Sequence, residues 1–162
     1  MSLLAPSIQI ENPSQYAAVR RTLEWYDESI WDVYLPPGNE YRVCLGTDKL
    51  RGEEKAAAVP PEVVAEYEIS SGQYEFELKS ETTSEESNVQ VFVDGKTIID
   101  YSEAENWNVR GTSSGGANWT VATQQTTDKP FTLYLRRFHP PKGGLSTEDA
   151  AKGIKVWIEV AE

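Results

Sequence analysis

Residues 72–78, Gly72-Gln73-Tyr74-Glu75-Phe76-Glu77-Leu78, set Tyr74, Phe76 and Leu78 against Glu75, Glu77 and the following Lys79. A strand sends successive side chains to opposite faces, so this period of two puts three large apolar groups on one face and three charges on the other. That pattern belongs to an antiparallel strand with one packed face and one wet face. The same alternation recurs in Tyr41, Val43 and Leu45, in Phe131, Leu133 and Leu135, and in Ile154, Val156, Ile158 and Val160. Val89, Val91 and Val93 run into Asp94-Gly95, a dipeptide that readily adopts the positive φ of a tight hairpin turn, and Lys96 to Tyr101 return the chain. Residues 88–101 therefore read as a hairpin.

Turn clusters separate these stretches: Pro36-Pro37-Gly38-Asn39, Ser71-Gly72, Thr112 to Asn118, and Pro140-Pro141-Lys142-Gly143-Gly144. The helical crossovers that parallel strands require are missing from the pattern. The expected fold is one all-β domain over residues 1–162, an antiparallel β-sandwich, jelly-roll-like, with roughly eight strands. One or two short helical segments are expected beside it. Residues 14–24 place Val19 and Leu23 four apart, between strand-like Ile8 and Ile10 and strand-like Trp31, Val33 and Leu35. Ser146-Thr147-Glu148-Asp149, followed by Ala150-Ala151-Lys152-Gly153, reads as one capped turn ending at glycine. Residues 51–61, charged, Ala-rich and closed by proline, read as a long loop.

The chain has 162 residues, of which 39% are hydrophobic and 10% aromatic, enough to fill one core. Its 15 Lys and Arg against 26 Asp and Glu give a formal charge of −11, which argues against nucleic acid as a partner. No apolar run reaches the ~18 residues of a membrane-spanning helix. The single cysteine, Cys44, cannot form an internal disulfide and sits among alternating apolar residues, where a thiol behaves as a small hydrophobe. The single histidine, His139, precedes Pro140-Pro141 and reads as a turn residue rather than a catalytic base or part of a multi-histidine metal centre. No Gly-rich phosphate cradle precedes a helix, so no cofactor is expected. Met1-Ser2-Leu3 lacks the pattern of a secretory signal and reads as a remnant joined to a domain of an exported or envelope-associated precursor.

The succession Gly72 to Leu78, then Asn88 to Val93, Asp94-Gly95-Lys96 and Ile98-Ile99-Asp100, resembles the middle of jelly-roll modules of the galactose-binding-like and carbohydrate-binding type. There a strand of the form G-x-Y-x-F-x-L precedes a V-x-V-x-V-D-G-K hairpin. The resemblance covers about 30 residues and implies a jelly-roll fold and a binding module for a glycan or another protein.

Among residues able to carry chemistry, Trp107 stands out. It lies in Glu105-Asn106-Trp107-Asn108-Val109-Arg110, where an aromatic plate is flanked by the amides of Asn106 and Asn108 and the guanidinium of Arg110. Such a set suits a sugar ring or a peptide. Folding inward as the anchor of its loop is the competing reading. Trp157 falls between Lys155 and Glu159, opposite the apolar face of its strand, so it is either exposed to a ligand or covered by another segment; Trp25, Trp31 and Trp119 read as core. Arg136 and Arg137 are successive strand residues whose side chains point to opposite faces and read as structural ion-pairing groups. Asp94, Asp100, Glu103 and Glu105 offer oxygen ligands for calcium but lack an EF-hand order, and a solvated acidic face is the simpler reading. A glycoside hydrolase needs only two facing carboxylates, and Glu75 and Glu77 share a strand face, yet that face is the ordinary wet side of a sheet. The expected function is a non-catalytic binding module; a structural assembly domain and a carboxylate-based hydrolase are the alternatives.

Overall fold

The computed structural model describes residues 8–21, 28–51, 61–107, 112–116, 123–139 and 151–162, with backbone alone at 112–116. The strands are β1 (Tyr16–Arg20), β2 (Glu28–Leu35), β3 (Tyr41–Gly46), β4 (Ala65–Ile69), β5 (Gly72–Thr82), β6 (Ser87–Val93), β7 (Lys96–Glu103), β8 (Thr112–Gly116), β9 (Thr123–Gln125), β10 (Phe131–Phe138) and β11 (Gly153–Val160). They form two sheets, one of six strands in the order β7-β6-β5-β2-β1-β9 and one of five in the order β4-β3-β11-β10-β8. Every strand pair is antiparallel. The architecture is all-β and sandwich-like, and the described residues contain no helix, hence none long and apolar enough to cross a membrane.

Alternation explains the layers. Phe76 and Leu78 of β5, Val89 and Val91 of β6, and Trp31 and Val33 of β2 join Val43 and Leu45 of β3, Leu133 of β10 and Ile158 of β11 in one buried cluster. Burying each such side chain contributes roughly 1.5–3 kcal/mol. Rings from the two sheets meet directly: Tyr16 stacks on Phe131 with centroids 5.2 Å apart, and Trp31 meets Tyr134 edge-on at 6.0 Å. The expected hairpin is present. Asp94 and Gly95 have φ of 49° and 83°, and Asp94 Oδ1 accepts the Glu75 backbone N–H at 2.8 Å, tying the turn to β5. Where the sheets' outer strands β4 and β7 approach each other, Lys96 Nζ lies 5.7 Å from the centre of the Tyr67 ring.

Where the two expected helical segments fall among the described residues, the chain is not helical. Residues 16–20 form β1, all five of them buried. Tyr16 and Ala18 face the core, while the other face is covered near residues 11–14, which Gln124 and Tyr34 hold: Gln124 Oε1 accepts the Glu11 and Asn12 N–H groups, and the Tyr34 hydroxyl donates to the Pro13 carbonyl. A strand covered on both faces loses the apolar–polar alternation that marks a half-buried one. In the second segment Ala151 exchanges backbone hydrogen bonds with Leu50, and Gly153 begins β11; residues 146–150 lie outside the described set. The described residues contain eleven strands where roughly eight were expected. Thr112–Gly116, expected as turn, pairs with β10 from Tyr134 to Phe138, at the sheet edge where small residues are tolerated. Ile8 and Ile10 lie outside any strand, and most of the expected 51–61 loop is not among the described residues.

The five-stranded sheet is packed on its outer face too. Cys44 and Trp157 point away from the interlayer core and are both buried, with Glu159 Oε1 accepting from Cys44 Sγ at 3.2 Å and from Trp157 Nε1 at 3.3 Å. Burial and the adjacent carboxylate both push the Cys44 thiol far above its ordinary value, so it stays protonated.

Candidate binding site at one end of the interlayer

The inner face changes character along the strands. At one end it is aromatic and aliphatic, around Tyr16, Tyr41 and Phe131. At the other end the same register positions carry polar groups. Ser80 continues the inward series Phe76, Leu78; Ser87 begins the series Val89, Val91, Val93; Ser29 precedes Trp31 and Val33; Arg20 pairs across from Trp31, and Arg136 across from Ile154. Ser29, Ser80, Ser87, Arg20 and Arg136 are all buried, Arg136 to 2% exposure.

Burying such groups is costly unless they are hydrogen-bonded, and here they bond to one another. The Arg20 guanidinium donates to the Ser29 hydroxyl within the six-stranded sheet. Arg136 Nη1 reaches the Ser80 hydroxyl, 3.5 Å away on the opposite sheet. The Ser87 hydroxyl donates to the Glu105 carbonyl at 2.7 Å and accepts the Trp107 backbone N–H at 3.1 Å. Each cation also lies on an aromatic ring: Arg20 at 5.7 Å from Trp31, Arg136 at 4.9 Å from Phe138 and Lys152 at 5.8 Å from Trp107.

Glu103 closes the rim. It sits opposite Ser87 at the end of β7, and its carboxylate accepts from Tyr101 at 2.9 Å, from Thr47 at 3.0 Å and from Lys152 at 3.1 Å. Thr47 and Lys152 belong to the five-stranded side, so this carboxylate fastens one layer to the other. Burial would raise the Glu103 pKa, but the three donors outweigh it and the net direction is down. Burial would likewise lower the Lys152 pKa, and its bond to Glu103 turns the direction upward. Among the buried side-chain atoms without a hydrogen-bond partner are the indole N–H groups of Trp31 and Trp107 at this end and the Tyr16 hydroxyl at the apolar end.

Trp107, foreseen as an exposed plate or an inward anchor, takes the inward position. It is 4% exposed, and its ring centroid is 6.2 Å from that of Phe138. The Ser87 bond to its backbone and the packing of Phe138 hold it there. Asn106, beside it, is half-buried, whereas Asn108 and Arg110 lie outside the described residues. Trp157 does not join this group: it is on the opposite face of β11, covered near Gly46 and Pro61, and 4% exposed. Of the acidic set, Glu103 and Glu105 share Lys152, at 3.1 Å and 3.9 Å, and the other two lie elsewhere. Asp94 caps its turn, Asp100 accepts from Asn88 at 2.8 Å and Gln90 at 3.3 Å, and Glu103 is held at the rim. Among the described residues no group of three or more His, Cys, Asp or Glu side chains is placed to hold a metal ion. Glu75 pairs with Arg21 at 3.1 Å on the outer face.

Comparison of the chain with protein-family models, with curated proteins and with solved structures finds no match in any of the three.

Proposed function

We propose that this domain is a non-catalytic binding module for a glycan, built on a jelly-roll of the galactose-binding-like type, and that it holds its ligand at the polar end of the interlayer. The observation that carries this reading is the change of the inner face from apolar to hydrogen-bonding at that end, with the buried indole donors of Trp31 and Trp107 left without acceptors. Sugars present hydroxyl oxygens to such donors and C–H faces to aromatic rings, and both kinds of group occur here together. The single carboxylate on this inner face among the described residues, Glu103, is tied to three donors, which suits holding the layers together better than acid–base work. Among the described residues only Val63 is a large apolar side chain exposed to solvent, which favours a small polar ligand over an apolar protein partner. The test is a glycan array measured beside hydrolysis of the same sugars. Retention of particular glycans without turnover is the expected result; turnover, or retention of none, would remove the proposal.

A further inference from the structure

We infer that residues 103–107 form a strap that closes the polar end of the interlayer and opens as a unit, separately from global unfolding, when it is released by Lys152; the inference rests on the binding reading above, since it names what governs access to that site. The β6–β7 ladder ends at the pair Ser87 and Glu103, and beyond it the chain leaves the sheet. On the six-stranded side Ser87 holds the strap, its hydroxyl donating to the Glu105 carbonyl at 2.7 Å and accepting the Trp107 backbone N–H at 3.1 Å. On the five-stranded side Lys152, just before β11, holds it: Nζ lies 3.1 Å from Glu103, 3.9 Å from Glu105 and 5.8 Å from the centre of the Trp107 ring. Glu103, Glu105 and Trp107 alternate along the chain, and one ammonium engages all three. Asp48, following β3, acts on the same ammonium and keeps it on its own layer. The Lys152 and Glu103 side chains are each 25% exposed, so water screens this clamp, and a segment held by such side-chain contacts opens before a ladder of backbone bonds does. Beneath the strap the Trp107 indole N–H is buried without an acceptor. The closed state therefore leaves unmet a donor that water or a ligand oxygen satisfies once the strap lifts, which narrows the gap between closed and open. The Trp31 indole also lacks an acceptor, but Trp31 is paired with Arg20 on one side and Phe76 on the other, and reaching it requires the strands to part. The fraction of open strap then scales the apparent affinity of any ligand that accepts from Trp107.

The test follows deuterium exchange of the tryptophan indole N–H signals of the ¹⁵N-labelled full chain, with no ligand added, over a series of urea concentrations below the unfolding transition. Trp31→Phe and Trp107→Phe assign the two signals of interest. In the natural chain the Trp107 signal is expected to exchange at least about tenfold faster than that of Trp31, and with a shallower urea dependence, because lifting the strap exposes little surface. Lys152→Met removes the charge and keeps an unbranched stem beside the Trp107 ring. It is expected to speed Trp107 exchange by a further factor of roughly ten, while Trp31 exchange moves only as far as the variant's own urea unfolding requires. Equal rates and equal urea slopes for the two indoles in the natural chain, or acceleration of both by the same factor in Lys152→Met, would overturn the inference. With no sugar present, that failure leaves the glycan reading standing, whereas a glycan array that retains nothing removes the binding reading alone.

Discussion

Arg136 on β10 and Ser80 on β5 face each other across the two sheets, with Nη1 and the hydroxyl oxygen 3.5 Å apart in a buried setting. This cross-layer contact lies where a purely apolar interior would have placed two aliphatic groups. It makes the end of the interlayer a chemically distinct region, and the consequences of that arrangement are measurable.

Glu103 fastens the layers as a carboxylate. Its pKa is below the ordinary 4.5, because donation from Tyr101, Lys152 and Thr47 outweighs the upward push of burial. The unfolded chain therefore takes up this proton more readily than the folded one. The stabilisation is complete above the ordinary value and is lost as pH falls through the depressed folded value. Thermal unfolding followed by circular dichroism should show the melting temperature falling between about pH 5 and about pH 3 more steeply for the natural chain than for Glu103→Gln. Equal slopes would mean that the carboxylate contributes nothing.

Trp107 is packed against Phe138 and bonded through its backbone to Ser87. Replacing it by Ala should cost ~3–5 kcal/mol in denaturant unfolding, as for other buried tryptophans, whereas Trp107→Phe should retain much of the packing. A Trp107→Ala variant of unchanged stability would show the side chain to be exposed in solution.

Much of this fold is legible in the sequence, and the exceptions share a cause. The strands with one wet face, β5 and β6, announce themselves through alternation, β11 does so through Lys155 and Glu159 although its outer face is largely covered, and Asp94-Gly95 marks the turn between β6 and β7. β1 is hidden because both of its faces are covered, and β8 because its small residues carry no apolar signal. The polar end of the interlayer leaves a subtler trace. Ser80 and Ser87 fall at positions where alternation calls for an apolar residue, and a serine in an inward register is the sign of a buried polar contact. Arg20 gave no such sign because its strand was not foreseen, and Lys152 gave none because it lies before β11 in a stretch expected to be a capped helical turn.

Gly153 marks a close approach of β11 to β10. A Cβ there would overlap the Arg136 carbonyl, and the neighbouring backbone cannot yield without disturbing the strand pair that carries Arg136 inward. Gly153→Ala is expected to lower stability by about 3 kcal/mol, read from the midpoint of chemical denaturation. A change within experimental error would show that the two strands sit farther apart.

Cys44 is fully buried, and its thiol donates to Glu159. In the native protein at pH 8 it should not react with Ellman's reagent, and in denaturant it should react at one equivalent per chain. Rapid reaction in the native state would place the thiol at the surface and remove the outer layer described for the five-stranded sheet.

The central claim is that a glycan binds at the polar end of the interlayer, and amide chemical-shift mapping with D-galactose tests it most directly. The account predicts saturable shifts concentrated at Ser29, Ser80, Ser87, Glu103, Trp107 and Lys152, with the wet face of β5, β6 and β7 unmoved. Shifts confined instead to Asn88, Gln90 and Asp100 on that outer face would contradict it.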